Sequence, residues 1–338
     1  MRTQGKCGSS TIVASALALL VVLVVLALAA CGGSSSTASN SPSAAPSVTP
    51  SESATPLPTP TVAGTLSFAK VSGGYGDIYV VRADGTGLTR LTATSASEEQ
   101  SAWSPDARKI AYMVGNAATS ASTCSIRVMK ADGSGSHRLV RGAVAGHAPA
   151  WSPDGTKVAF SRFMGGAHAS YDLVIVGANG KGLRKVTSGH DDLWAAWAPD
   201  GTIYFLRVDD EDPQVYSVEP GGGRPTRITR LAYVAGFALS PDGKRLALCD
   251  FANDRLVLLP ANGDGKPVVL VTEVSNMIDM TQSCHVRLAW SPDGKAIAFA
   301  ASVWNPTGSA LYIVNADGSG LSTVPNTGEV RDPAWRPE

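Results

Sequence analysis

Histidines and carboxylates recur at one kind of position in this chain, just ahead of a tryptophan. Glu99 and His147 lie four residues before Trp103 and Trp151, Asp192 and His285 lie five before Trp197 and Trp290, and Asp332 lies three before Trp335. His190 stands nearby. Imidazole and carboxylate groups are the usual oxygen and nitrogen ligands of divalent metals, so Glu99, His147, Asp192 and His285 are the candidates if any metal is held. A metal so placed would support a lyase or hydrolase reaction, the alternative to a binding role. Other chemistries lack their signatures. There is no Gly-x-Ser-x-Gly elbow, no phosphate loop ending in Lys-Ser/Thr, and no Cys-x-x-Cys or His-Glu-x-x-His spacing. No cofactor is therefore expected.

The elements that must position these residues are repeats. Ala-Trp-Ser-Pro-Asp at 102–106 recurs at 150–154, as Ala-Trp-Ala-Pro-Asp at 196–200, as Ala-Leu-Ser-Pro-Asp at 238–242, and again at 289–293, and Ala-Trp-Arg-Pro-Glu stands at 334–338. The anchors are spaced by 48, 46, 42, 51 and 45 residues, the length of a four-stranded β-propeller blade. After each anchor comes a tight turn and a short apolar strand such as Lys157–Phe160, then a β-branched strand such as Asp77–Val81. That third strand runs into an Asp-Gly or Asn-Gly hairpin, as at Asp84-Gly85 and Asn179-Gly180. With 35 Gly and 21 Pro, an all-helical fold is excluded.

Three strands precede the first anchor strand, and one anchor strand, around Trp335, has no successors. Joining the two ends predicts an all-β, six-bladed propeller over 64–338, closed by the C-terminal strand completing the first blade. These repeats resemble the TolB-type, WD-repeat-like β-propeller family. The resemblance implies a propeller over that span; the connections that vary from blade to blade on one rim point to a binding rather than a catalytic role.

Two segments precede the propeller. Arg2 and Lys6 lead an apolar run from Ile12 to Ala30, and Leu28-Ala29-Ala30-Cys31 looks like a bacterial lipobox. Residues 1–30 read as a lipoprotein signal peptide and Cys31 as the lipidation site, which would place the chain on the extracytoplasmic side of a cell-envelope membrane. Residues 31–63, rich in Ser, Thr, Pro and Ala, read as a tether with too little apolar surface to fold.

Lys plus Arg equal Asp plus Glu at 28 each, so no global positive field exists to gather nucleic acid. The charge is local. Connections on one rim of the ring vary from blade to blade and carry an acidic excess that includes Glu98, Glu99, Asp191, Asp192, Asp209 and Asp210. With His147, His190, His285 and Asp332 these form the expected binding face, for a protein, peptide or glycan partner of cationic character. Of the cysteines beyond the lipobox, Cys249 and Cys284 border one blade and are the expected disulfide, leaving Cys124 free.

Overall fold

The computed structural model describes residues 59–73, 75–115, 124–140, 148–165, 170–208, 212–272, 287–301 and 309–338. They form six four-stranded antiparallel sheets. Blade 1 holds β1 (Thr65–Ser72), β2 (Tyr75–Arg82) and β3 (Thr89–Arg90), with β24 (Val330–Trp335) as its inner strand. Blade 2 runs outward through β4 (Ser97–Trp103), β5 (Lys109–Gly115), β6 (Ser125–Lys130) and β7 (His137–Val140). Blade 3 holds β8 (Ala150–Trp151), β9 (Lys157–Phe163), β10 (Tyr171–Gly177) and β11 (Arg184–Lys185). In blade 4 these are β12 (Asp192–Trp197), β13 (Ile203–Arg207), β14 (Gln214–Val218) and β15 (Thr226–Arg227). Blade 5 has β16 (Val234–Leu239), β17 (Arg245–Asp250), β18 (Arg255–Pro260) and β19 (Val268–Thr272). Blade 6 has β20 (Leu288–Trp290), β21 (Ala296–Ala301), β22 (Ala310–Asn315) and β23 (Ser322–Thr323).

Closure is as the repeat phase requires. β24 pairs antiparallel with β1, Leu66 opposite Trp335 and Lys70 opposite Val330. The chain's last strand thus supplies its first blade, and neither end leaves a long unpaired edge.

Second and third strands are buried on both faces, as Val158–Ser161 and Leu173–Val176 illustrate, because each blade is packed between two others. The core is accordingly divided. Six clusters of buried side chains each join one neighbouring pair of blades; Trp151, Phe160 and Val174 of blade 3, for example, pack on Ala111, Met113 and Ile126 of blade 2.

The anchor tryptophans act at these seams. The indole N–H of Trp151 donates to the carbonyl of Ala102, that of Trp197 to Ala150, and that of Trp290 to Ala238, each at 3.1 Å. Each latch runs to the alanine beside the preceding blade's anchor. Small-then-large at the anchor therefore has a physical reason: the alanine leaves room for the next indole ring and its carbonyl accepts the indole proton.

The Pro-Asp turns form a uniform rim. Ser104, Ser152, Ser240 and Ser291 donate to the aspartates two residues on, and those aspartates accept backbone N–H groups from Arg108, Thr156, Lys244 and Lys295. The Ser152 hydroxyl, helped by Thr156, holds the Asp154 carboxyl down at about 2. These are Asx-type turns.

One expectation fails in the described residues. Cys249 is free and fully buried in β17, its thiol pushed up to about 12 by burial, whereas Cys124 is the disulfide-bonded cysteine. Placing Cys249 at a strand end ignored which way its side chain points. It packs into the apolar cluster between blades 5 and 6, with Ala247 and Leu256. Cys284 lies outside the described residues.

Candidate functional site

On the rim opposite the Pro-Asp turns, the sequence-predicted residues meet different fates. Asp192 is fully buried, and Arg207 grips it with two hydrogen bonds, Nε at 2.7 Å and Nη2 at 2.9 Å. Residue 192 pairs with residue 207 across β12 and β13, so the ion pair is cross-strand. Its carboxylate is spent inside blade 4 and is withdrawn from both the binding face and the candidate metal set. Asp191 is half-buried and accepts the backbone N–H of Tyr171 at 3.0 Å. Asp250 repeats the theme, buried and bonded by Arg255 at 2.8 Å. Asp192 and Asp250 are thus neutralised within their blades, which charge counting along a sequence cannot register.

Glu98 is also buried, 2% exposed, at the seam between blades 1 and 2. The hydroxyl of Thr94 donates to its Oε1, while Oε2 has no hydrogen-bond partner among the described residues. Burial raises its pKa against the lowering effect of Thr94 and Thr92, with the charge of Asp77 adding to the rise. Glu99 is half-buried and accepts from the Ser97 hydroxyl at 2.7 Å. His190 is exposed in the turn before β12. His147, His285, Asp209, Asp210 and Cys31 lie outside the described residues.

Two predicted residues do come together. Glu99 and Asp332 feel each other's charge, and Arg287 joins them from blade 6. Burial pushes Asp332 up to about 6 despite Arg287, with Glu99 adding to the rise; burial likewise lowers Arg287, opposed by Asp332. The Nη1 atom of Arg287 is buried without a hydrogen-bond partner among the described residues. Inner strands contact their neighbours around the ring, β20 with β24 and β24 with β4 among them, so this charged group sits where three blades converge.

Arg287 was missed by sequence reasoning, although a signal existed. Gln100, Trp194, Arg287 and Asp332 all stand three residues before an anchor tryptophan. At three of them the backbone is left-handed, φ being 56° at Gln100, 48° at Trp194 and 54° at Asp332. Register shifts accompany them in β4, β12 and the β1–β24 pair. A bulge repeated on the inner strands re-aims the residue at that offset, so the offset, not the residue type, marks the position.

Among the described residues no group of three His, Cys, Asp or Glu could hold a metal ion. The two described members of the candidate metal set, Glu99 and Asp192, serve different partners, the second inside its own blade.

Comparisons with known proteins bear on this geometry. The protein family described as the TolB beta propeller domain matches residues 122–338. Among solved structures, TolB from Acinetobacter baumannii is similar at a TM-score of 0.69 and 23% identity, over 81% of this chain and 67% of that one. A chain of the nidogen/laminin complex is similar at 0.62 and 13%, covering 81% of this chain and 98% of its own. A TolB-assigned protein from Agrobacterium tumefaciens is similar at 0.58 and 15%, over 82% and 99%. At these identities the structural likeness speaks for the fold alone. No curated protein matches the chain.

Proposed function

The chain belongs to the TolB β-propeller domain family, and from that premise we propose that it is a lipid-anchored, extracytoplasmic binding module. Its variable rim takes a protein, peptide or glycan partner. The observation that carries this reading is the contrast between rims: one is spent on identical hydrogen-bonded turns, while the other holds half-buried charge at Glu99, Asp191, Arg287 and Asp332. A rigid ring presenting varied loops is the usual platform for recognition. The metal-assisted alternative loses Asp192 to Arg207 and gains no support from the described residues.

The anchor is proposed from Leu28-Ala29-Ala30-Cys31. Cys31→Ala should move the protein out of the detergent phase; retention of the variant in the membrane at precursor size would instead favour an uncleaved helix. With Cys31 lipidated and Cys7 in the signal, the proposed partner of Cys124 is Cys284. Non-reducing digestion should return that bridged peptide and a Cys249 that alkylates only after denaturation.

The partner is proposed to be cationic. Because Asp192 supports blade 4, the charge test uses Asp209→Lys and Asp210→Lys, with cross-linking to envelope proteins across a salt series. Weaker capture by the variant and by high salt is expected. An unchanged partner set with unchanged salt dependence would leave the acidic loops no role in recognition.

A further inference from the structure

A cavity of about 390 Å³ opens between blades 1 and 2, away from the charged group of Arg287 and Asp332. Thr92 and Thr94, on the crossover from blade 1, and Glu98, Tyr112, Val114 and Arg127 of blade 2 are among its lining residues. The strand register explains the composition. Glu98 stands opposite Val114 on β5, and Tyr112 stands opposite Arg127 on β6. Val114 and Tyr112 are two apart and share a face, so one wall runs from a carboxylate, over an apolar centre, to a guanidinium.

The two charges are not spent on each other. Arg127 is turned to the outer strand, Nε on the Ser136 hydroxyl at 2.9 Å and Nη2 on the Ser136 carbonyl at 3.1 Å. Among the described residues no ion pair joins it to Glu98, yet its charge is felt there and lowers the Glu98 pKa. Glu98 keeps Oε2 without a hydrogen-bond partner among the described residues, in a nearly fully buried side chain. An unsatisfied buried acceptor is costly, and a wall holding separated opposite charges over an apolar patch is complementary to a molecule with the opposite arrangement.

We propose that this inter-blade cavity binds a small zwitterion of the amino-acid class, its ammonium group on Glu98, its carboxylate on Arg127 and its carbon frame on Tyr112 and Val114. The volume lies within the range of small-ligand sites and exceeds what such a molecule needs. An arriving ammonium would also favour the charged form of Glu98, which burial disfavours. The proposal is independent of any partner on the variable rim.

Calorimetric titration of the full chain with 4-aminobutanoate, n-butylammonium and butanoate tests it. The zwitterion should bind saturably and at least about tenfold more tightly than either half-molecule, each charge-assisted contact being worth about that factor. Glu98→Gln should reduce 4-aminobutanoate to the level of butanoate, and Arg127→Gln should reduce it to the level of n-butylammonium. Should Glu98→Gln fail to fold, the Arg127→Gln arm and cavity-filling Val114→Phe carry the test, both expected to weaken the zwitterion at unchanged melting temperature. Absence of binding by the native chain, equal binding of all three probes, or variants that bind like the native chain would overturn the proposal.

Discussion

The seam between blades 1 and 2 and the seam between blades 2 and 3 are built from the same repeat and hold together differently. Between blades 2 and 3 the buried cluster is broad and apolar, and the indole of Trp151 is latched to Ala102. Between blades 1 and 2 the cluster of described buried residues is the smallest of the six, and the Nε1 of Trp103 has no hydrogen-bond partner among the described residues. Polar groups fill the difference: the Ser67 and Ser101 hydroxyls meet at 2.8 Å, Ser97 accepts the Gly76 N–H, and Glu98 lies buried beside the cavity. Arg336 instead covers the Trp103 ring, 5.4 Å from its centroid. The closing blade, assembled from both chain ends, is joined to its successor with polar contacts and a void, where an ordinary blade is joined with packing. A seam that is not fully packed is free to hold a ligand.

The largest expected effect comes from removing the closing strand. Deleting residues 330–338 takes Val330 and Trp335 from the cluster between blades 6 and 1 and Ala334 from that between blades 1 and 2. A buried tryptophan, two smaller buried side chains and a strand pairing go together, a loss well beyond about 5 kcal/mol, and circular dichroism should show no cooperative unfolding. A native melting temperature after the deletion would mean that β24 is dispensable to the ring.

The two tryptophans give the sharpest contrast. Trp151→Phe removes the indole bond to the Ala102 carbonyl and should cost about 1–1.5 kcal/mol in chemical denaturation, beyond any packing change. Trp103→Phe removes an indole N–H that has no partner among the described residues, so its hydrogen-bond cost should be near zero. Equal losses would show that the two seams do not differ in this respect.

Asp332 allows a pH test beside the closing seam. Its folded pKa of about 6 lies above the ordinary 3.8, so the native state holds the proton more tightly than the unfolded chain. The associated stability is fully present below about pH 4 and is lost as pH rises through 6. Asp332→Asn should therefore exceed the native protein in stability at pH 7 by on the order of 1–2 kcal/mol, the full shift reduced for partial exposure, and lose that advantage by pH 4. Melting curves across that range, flat in their difference, would contradict the buried placement.

The smallest effect belongs to the uniform rim. Ala107 has φ of 54° in the turn after β4, where the equivalent Gly155 and Gly294 have 67° and 68°. Ala107→Gly should stabilise by up to about 1 kcal/mol by relieving the left-handed alanine. A decrease would mean that the contacts of its buried methyl outweigh the strain.

Much of this architecture is legible in the residues alone. The anchor spacing, the Pro-Asp turns and the hairpin glycines state a local geometry once per blade, and counting the incomplete sets at the two ends is enough to join the strand around Trp335 to the first blade. Such features depend on neighbours within a few residues or on a repeat period, and both are written linearly. The site is not. Asp192 and Glu98 look like surface loop acids until Arg207 arrives across a strand and blade 1 closes over blade 2; Cys249 looks bridgeable until its thiol turns into a core. Exposure and pairing of a charge are set by groups brought from distant positions, so only the tertiary structure decides them. The charged group of Arg287, Asp332 and Glu99 and the Glu98–Arg127 cavity belong to that second kind, since each exists only because blades from separate parts of the chain meet.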